Sequence, residues 1–165
     1  MAEENPYSAP ESDVDVETVG EAELASRWLR LGGAIIDGLI IGVVFWMFAY
    51  AYFWQKTISQ QMSIVDTVIF AAGAIVVFLA INGFLLASSG QTVAKRLLGM
   101  QIVSIHDDKI LPFGRLVGLR YLPVYIAPYI PIAGQIFGLV NVLFIFGSEK
   151  RCIHDYMAGT KVIKL

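Results

Sequence analysis

Residues 29–53 read LRLGGAIIDGLIIGVVFWMFAYAYF. About 20 apolar residues at 1.5 Å rise cross a bilayer's hydrocarbon, roughly 30 Å thick, so this run is long enough for a tilted transmembrane helix. Trp46, Tyr50, Tyr52 and Trp54 crowd its far end, the signature of an aromatic belt at a membrane interface. Two charges interrupt the pattern: Arg30 at the start and Asp37 inside. An aspartate at the centre of a membrane helix costs about 3 kcal/mol, less near the surface. Asp37 therefore needs a partner, or takes up a proton.

The rest of the chain repeats the apolar theme. Of 165 residues, 56% are hydrophobic and 16% charged, against roughly 25% charged in soluble domains. A second run, TVIFAAGAIVVFLAINGFLLA at 67–87, also has the length to cross. A third apolar region, 116–146, is broken by Pro123, Pro128 and Pro131. Each interior proline removes a helix hydrogen bond and clashes with the preceding turn, so YIAPYIPIAG reads as a turn between spans at 116–127 and 132–146. The expected fold is an all-α membrane protein with a four-helix transmembrane bundle, its last two segments either crossing or forming a re-entrant hairpin. Between the second and third spans, Lys95 to Leu98 suggest a short amphipathic helix at the headgroups. Met100 to Ile105 and the C-terminal TKVIKL have strand character, with HDDK a turn into Ile110 and Leu111. A small cytoplasmic β element follows.

Charge orients these spans. Lysines and arginines at 27, 30, 95, 96, 109, 115, 120, 150, 151, 161 and 164 fall on one side of the layout, and Lys56 on the other. That positive-inside bias places both termini in the cytoplasm. Eight of the 14 acidic residues lie in the first 23 positions, so residues 1–23 read as a disordered acidic tail suited to a protein partner, followed by a membrane domain at 24–165. An acidic start is incompatible with a cleaved secretory signal. The single cysteine, Cys152, excludes an intrachain disulfide, and with only His154 and Asp155 beside it, no metal site is expected.

The intramembrane polar residues are the candidate ion or proton site. Arg30 and Asp37 return to one helix face about 10 Å apart along the axis, too far to pair. Asn82, Arg120 and Asn141 each lie about five residues inside the cytoplasmic end of their span, roughly 7–9 Å deep. Asp37 is therefore expected to pair with Arg120 inside a polar layer completed by Asn82 and Asn141, with Arg30 meeting Asp155 at the surface. Such groups either mark an ion pathway or brace the bundle. Three G-x-x-x-G spacings, Gly38/Gly42, Gly114/Gly118 and Gly134/Gly138, clear grooves for close helix approach, and the first and last suit a homo-oligomer.

RLGGAIIDGLI, GQTVAKRLLGMQIV and HDYMAGTKVI, in that order, resemble the RDD family of membrane proteins, named for one arginine and two aspartates. By position these are Arg30, Asp37 and Asp155, and the family's loop pattern falls on Gly90, Gln91, Thr92, Lys95, Arg96 and Gly99. The resemblance covers about residues 25–165 and implies a multi-pass protein of the bacterial cytoplasmic membrane. It implies a transport-related role, with sodium–proton exchange suggested for some members; in this chain Asp37 is the carboxylate expected to alternate between protonated and cation-bound forms. The alternative is a non-transporting adaptor or assembly factor whose intramembrane charges only brace the bundle. An enzyme is not expected: GQTVAKR lacks the phosphate-loop spacing, and no nucleophile–base pair is visible, Ser88 and Ser89 being helix-end residues. No cofactor is implied, and the basic residues fit membrane topology, not nucleic acid.

Overall fold

A computed structural model describes residues 22–59, 63–130 and 132–165. Helix α1 runs Arg27–Ile58 and α2 Ile64–Ser89. Both are long and apolar enough to cross a membrane, yet only 17% and 11% of their most apolar windows are buried within the protein. Leu39, Val43 and Met47 of α1 stand more than half exposed. Apolar surface left so uncovered by the chain itself is suited to lipid. Ser63 caps α2: its hydroxyl accepts from the Asp66 N–H at 3.1 Å, and its own N–H donates to the Asp66 carboxylate at 3.1 Å.

Gly90 ends α2 in the left-handed region at φ 62°, and a Cβ there would lie 2.7 Å from the Ile102 carbonyl oxygen. Only glycine turns the chain there. Helix α3 (Val93–Leu97) and strand β1 (Met100–Ser104) follow. The HDDK turn closes with the Ser104 N–H on the Lys109 carbonyl at 2.8 Å, and Ile110 and Leu111 lie outside the sheet.

The proline-broken region is more continuous than expected. Helix α4 (Phe113–Arg115) passes into a π-helical stretch, Leu116–Tyr121, then α5 (Leu122–Ile126) and a 3-10 turn, Ala127–Tyr129. The π stretch lies immediately ahead of Pro123, and the Leu122 N–H reaches back to Val117 O. Widening the helix by one residue accommodates a proline that a regular turn would reject. The reversal comes after Tyr129, and α6 (Ala133–Leu143) returns against that turn. With its 3-10 extension the last apolar helix covers Gly134–Phe146, about 20 Å at helical rise and short of the hydrocarbon thickness. The segments expected as third and fourth spans thus form a bent, closely packed helical hairpin beside two long helices.

Helix α7 (Ile153–Ala158) and strand β2 (Thr160–Lys164) complete the chain. β1 and β2 pair antiparallel, Met100 opposite Lys164 and Ser104 opposite Thr160. The polypeptide leading into α1 joins them: Leu24 bridges Ile163, and the Lys164 N–H donates to Glu23 O at 2.8 Å. The fold therefore takes in Glu23. Residues 1–21 of the expected tail lie outside the described residues. Buried Ala25, Leu86, Met100, Ile102, Leu116 and Val162 form a core beneath the helices, fastening the start of α1, the end of α2 and the C-terminus at one end of the molecule.

Candidate functional site

Two charge centres lie at that end. In the first, Asp155 is fully buried and sits in the first turn of α7, where its carboxylate accepts from the Cys152 N–H at 2.9 Å. Arg30 of α1 pairs with one carboxylate oxygen and Arg120 of the π stretch with the other. Arg30 also donates to Lys150 O, and Arg120 to the Thr160 hydroxyl at 2.5 Å. Arg151 completes the layer, donating to the carbonyls of Thr160 at 3.1 Å and Asp155 at 3.3 Å while its guanidinium lies 4.1 Å from the Tyr156 ring centroid. One carboxylate thus ties α1, the π stretch and α7 together. Burial alone would raise the Asp155 carboxyl, but Arg120 and Arg30 hold it well below the usual range.

The second centre is Asp37. Its carboxylate accepts from the Thr92 hydroxyl at 2.5 Å and the Ala94 N–H at 3.0 Å, with Lys95 Nζ at 3.5 Å. Thr92 is the N-cap of α3, and Asn82 Oδ1 accepts the adjoining Val93 N–H at 2.9 Å. Two side chains from the long helices therefore satisfy the open N–H groups of a short one. Asn141 repeats the device on α7: its Oδ1 accepts the His154 N–H at 3.1 Å and lies 2.9 Å from Nδ1, which accordingly carries the ring proton. Burial, then the nearby Arg120 charge, lower His154 to about 3, so the imidazole is neutral at physiological pH.

The loop pattern receives a role residue by residue. Gly90 and Gly99 take left-handed conformations, φ 62° and 61°. Gln91 donates to Met100 O at 2.8 Å, while Thr92 and Lys95 hold Asp37. Arg96 is exposed on α3, so of the two basic residues only Arg96 is free to face headgroups.

One expected pairing is corrected. Among the described residues Arg120 meets Asp155 and not Asp37. Equal depth did not mean a shared azimuth, and α7 carries a carboxylate up beneath Arg120. The Arg30–Asp155 contact is present. Thr160, Arg151 and His154 were not singled out as members of this layer. Their place in RCIHDYMAGT, the segment that carries Asp155, was the available signal. Cys152, His154 and Asp155 bring potential ligand atoms within 4.8 Å, but two guanidiniums already occupy that carboxylate, poor surroundings for a metal cation. Gly134 packs within the chain, where an added Cβ would overlap the Ala127 carbonyl, while Gly38 and Gly42 have open space around them.

Above both centres lies a cavity of ≈ 450 Å³, in the size range of small-molecule sites. Its lining combines the polar side chains of Arg30, Asp37, Lys95, Arg120, Asn141 and His154 with the apolar ones of Phe45, Ala74, Phe78, Val124, Tyr125 and Val142. Three cationic side chains meet two carboxylates, Asp37 and the underlying Asp155. The site carries net positive charge.

Two long lipid-suited helices, a charged docking layer and a small sheet define a helical membrane protein. The chain belongs to the RDD family, whose sequence model matches residues 24–159. It is 25% identical to an uncharacterized protein of Haemophilus influenzae over 142 residues, covering 85% of this chain and 78% of that protein. It is 22% identical to the uncharacterized membrane protein YteJ of Bacillus subtilis over 157 residues, covering 90% and 89%. No solved structure matches the chain.

Proposed function

We propose that this is a multi-pass protein of the bacterial cytoplasmic membrane that binds a ligand in the cavity above its charged layer, with Arg30, Asp37 and Asp155 as fixed braces and not as a cation relay. The observation that carries this is the commitment of both carboxylates. Asp155 holds two guanidiniums and a backbone N–H with no exposure, and Asp37 holds the N-terminus of α3. A cation reaching Asp37 would have to displace Lys95 and enter a region with surplus positive charge, which repels it. Cation/proton exchange draws support only from the fact that Asp37 borders a cavity.

The positive-inside rule puts the end bearing α3, α7 and the sheet in the cytoplasm, and with it both termini. Two long helices with a re-entrant hairpin suit the short third and fourth segments better than four full crossings. The open groove at Gly38 and Gly42 leaves room for a second copy, and the acidic tail keeps a protein partner in view. Reconstitution in proteoliposomes with a trapped pH dye tests the central point. Sodium or potassium gradients are expected to move no protons beyond empty vesicles. Cation-dependent flux abolished by Asp37→Asn would overturn it.

A further inference from the structure

Beside the cavity stand hydrogen-bond donors short of acceptors. Arg120 is 2% exposed, yet among the described residues its Nε has no hydrogen-bond partner, and the buried Tyr121 hydroxyl has none either. Both residues line the cavity. Lys95 is the least committed cation there: its Nζ makes only long contacts, 3.5 Å to Asp37 and 3.5 Å to the Thr92 hydroxyl. A buried guanidinium Nε can donate but not accept, so only an acceptor satisfies it. Arg120, Tyr121 and Lys95 all line this one space, and in net positive surroundings they select an anionic head rich in oxygen, such as phosphate or carboxylate.

The apolar side chains of the lining select differently. Phe45, Ala74, Phe78, Val124, Tyr125 and Val142 offer hydrocarbon and ring faces. Phe78 packs in tilted contact against Tyr121 and Tyr125 at centroid separations of 4.6 and 5.1 Å, fixing that wall. A free inorganic anion would leave this surface unused, and a neutral hydrocarbon would leave the donors unanswered.

We propose that the cavity binds an anionic amphiphile, its phosphate or carboxylate head at Lys95, Arg120 and Tyr121 and its hydrocarbon tail along Phe45, Phe78 and Val124. This rests on the reading of the cavity as a ligand site and names the ligand's chemistry. Such a molecule comes from the bilayer leaflet or, as a free amphiphilic anion, from the cytoplasm. The shared requirement is one anionic head and one apolar tail.

The test uses the full-length protein in neutral detergent, titrated calorimetrically with dioctanoyl phosphatidate, dioctanoyl phosphatidylcholine, octanoate and inorganic phosphate. Phosphatidate is expected to bind saturably, about tenfold or more tighter than either phosphatidylcholine or inorganic phosphate. Octanoate binding as tightly as phosphatidate points to a free anion as the source, and weaker octanoate binding points to a lipid. Lys95→Gln should weaken phosphatidate about tenfold. Ala74→Phe, which fills the apolar wall, should bring phosphatidate down to the affinity of inorganic phosphate, and either variant suffices if the other misfolds. Equal affinity for phosphatidate and phosphatidylcholine, equal affinity for phosphatidate and inorganic phosphate, no binding of either amphiphilic anion, or an unchanged affinity in folded Lys95→Gln overturns the proposal. None of those results bears on the flux assay, so the brace reading stands or falls separately.

Discussion

Replacing Asp37 separates a brace from a relay, because the two roles predict different losses. Asp37→Ala removes the acceptor of a hydroxyl, a backbone N–H and an ammonium. Losing an N-terminal cap costs about 0.5–2 kcal/mol, and hydrogen bonds to a charged group are each worth about 1.5–3 kcal/mol. Lys95, with a 12% exposed side chain, recovers part of its loss by turning into the cavity. The net expectation is a destabilisation of about 2–4 kcal/mol for alanine. Asp37→Asn keeps an oxygen for the Ala94 N–H while losing the charge, and should cost about 1–2 kcal/mol. Equilibrium unfolding in mixed micelles measures both, and limited proteolysis reads whether 93–99 loosens first. A stability for Asp37→Ala within about 0.5 kcal/mol of the parent, the scatter of an ordinary surface substitution, would contradict the brace role.

Asp155→Asn strands two buried guanidiniums and should cost about 3–5 kcal/mol in the same assay, while Asp107→Asn on the exposed turn serves as a control with little effect. Gly90→Ala forces a Cβ toward the Ile102 carbonyl at φ 62° and should cost about 1–3 kcal/mol, seen as a lowered thermal midpoint. Acid should destabilise in two stages. His154 is depressed from 6.5 to about 3 by burial, so the unfolded chain binds a proton near 6.5 that the native protein refuses, and stability falls as pH drops from there toward 3. Asp155, held below its ordinary range by Arg120 and Arg30, adds a further loss below about pH 4, where the unfolded carboxylate protonates first. Unfolding free energies at several pH values should show both stages, and His154→Gln should flatten only the upper one.

Hydropathy placed α1 and α2 because an apolar run of that length has few alternatives. The β element followed from the strand-like composition of Met100 to Ile105 and the alternation in TKVIKL, though Ile110 and Leu111 stayed out of it. The hairpin was harder. Prolines announce disruption, but whether a helix breaks or widens depends on neighbours, and the π stretch ahead of Pro123 leaves no mark in residue types. The polar layer could be located by counting residues from span ends, yet its pairing could not. Counting gives depth, whereas partners depend on azimuth and on what the loops fold beneath. Asp37, Asn82 and Asn141 turned out to meet helix N-termini, a role that calls for an acceptor and not for an opposite charge. Gly90 and Gly99 were visible as a pattern, and their left-handed backbone supplies its reason.

Paired double-mutant cycles ask which carboxylate Arg120 belongs to, and so whether Asp155 is the brace. Unfolding free energies for Arg120→Met, Asp155→Asn, Asp37→Asn and the two double variants give both coupling energies. A coupling of about 2 kcal/mol or more between Arg120 and Asp155, with less than about 0.5 kcal/mol between Arg120 and Asp37, is the expected result. The reverse order would mean that the buried charges pair across the membrane helices, and that Asp155 is not the brace.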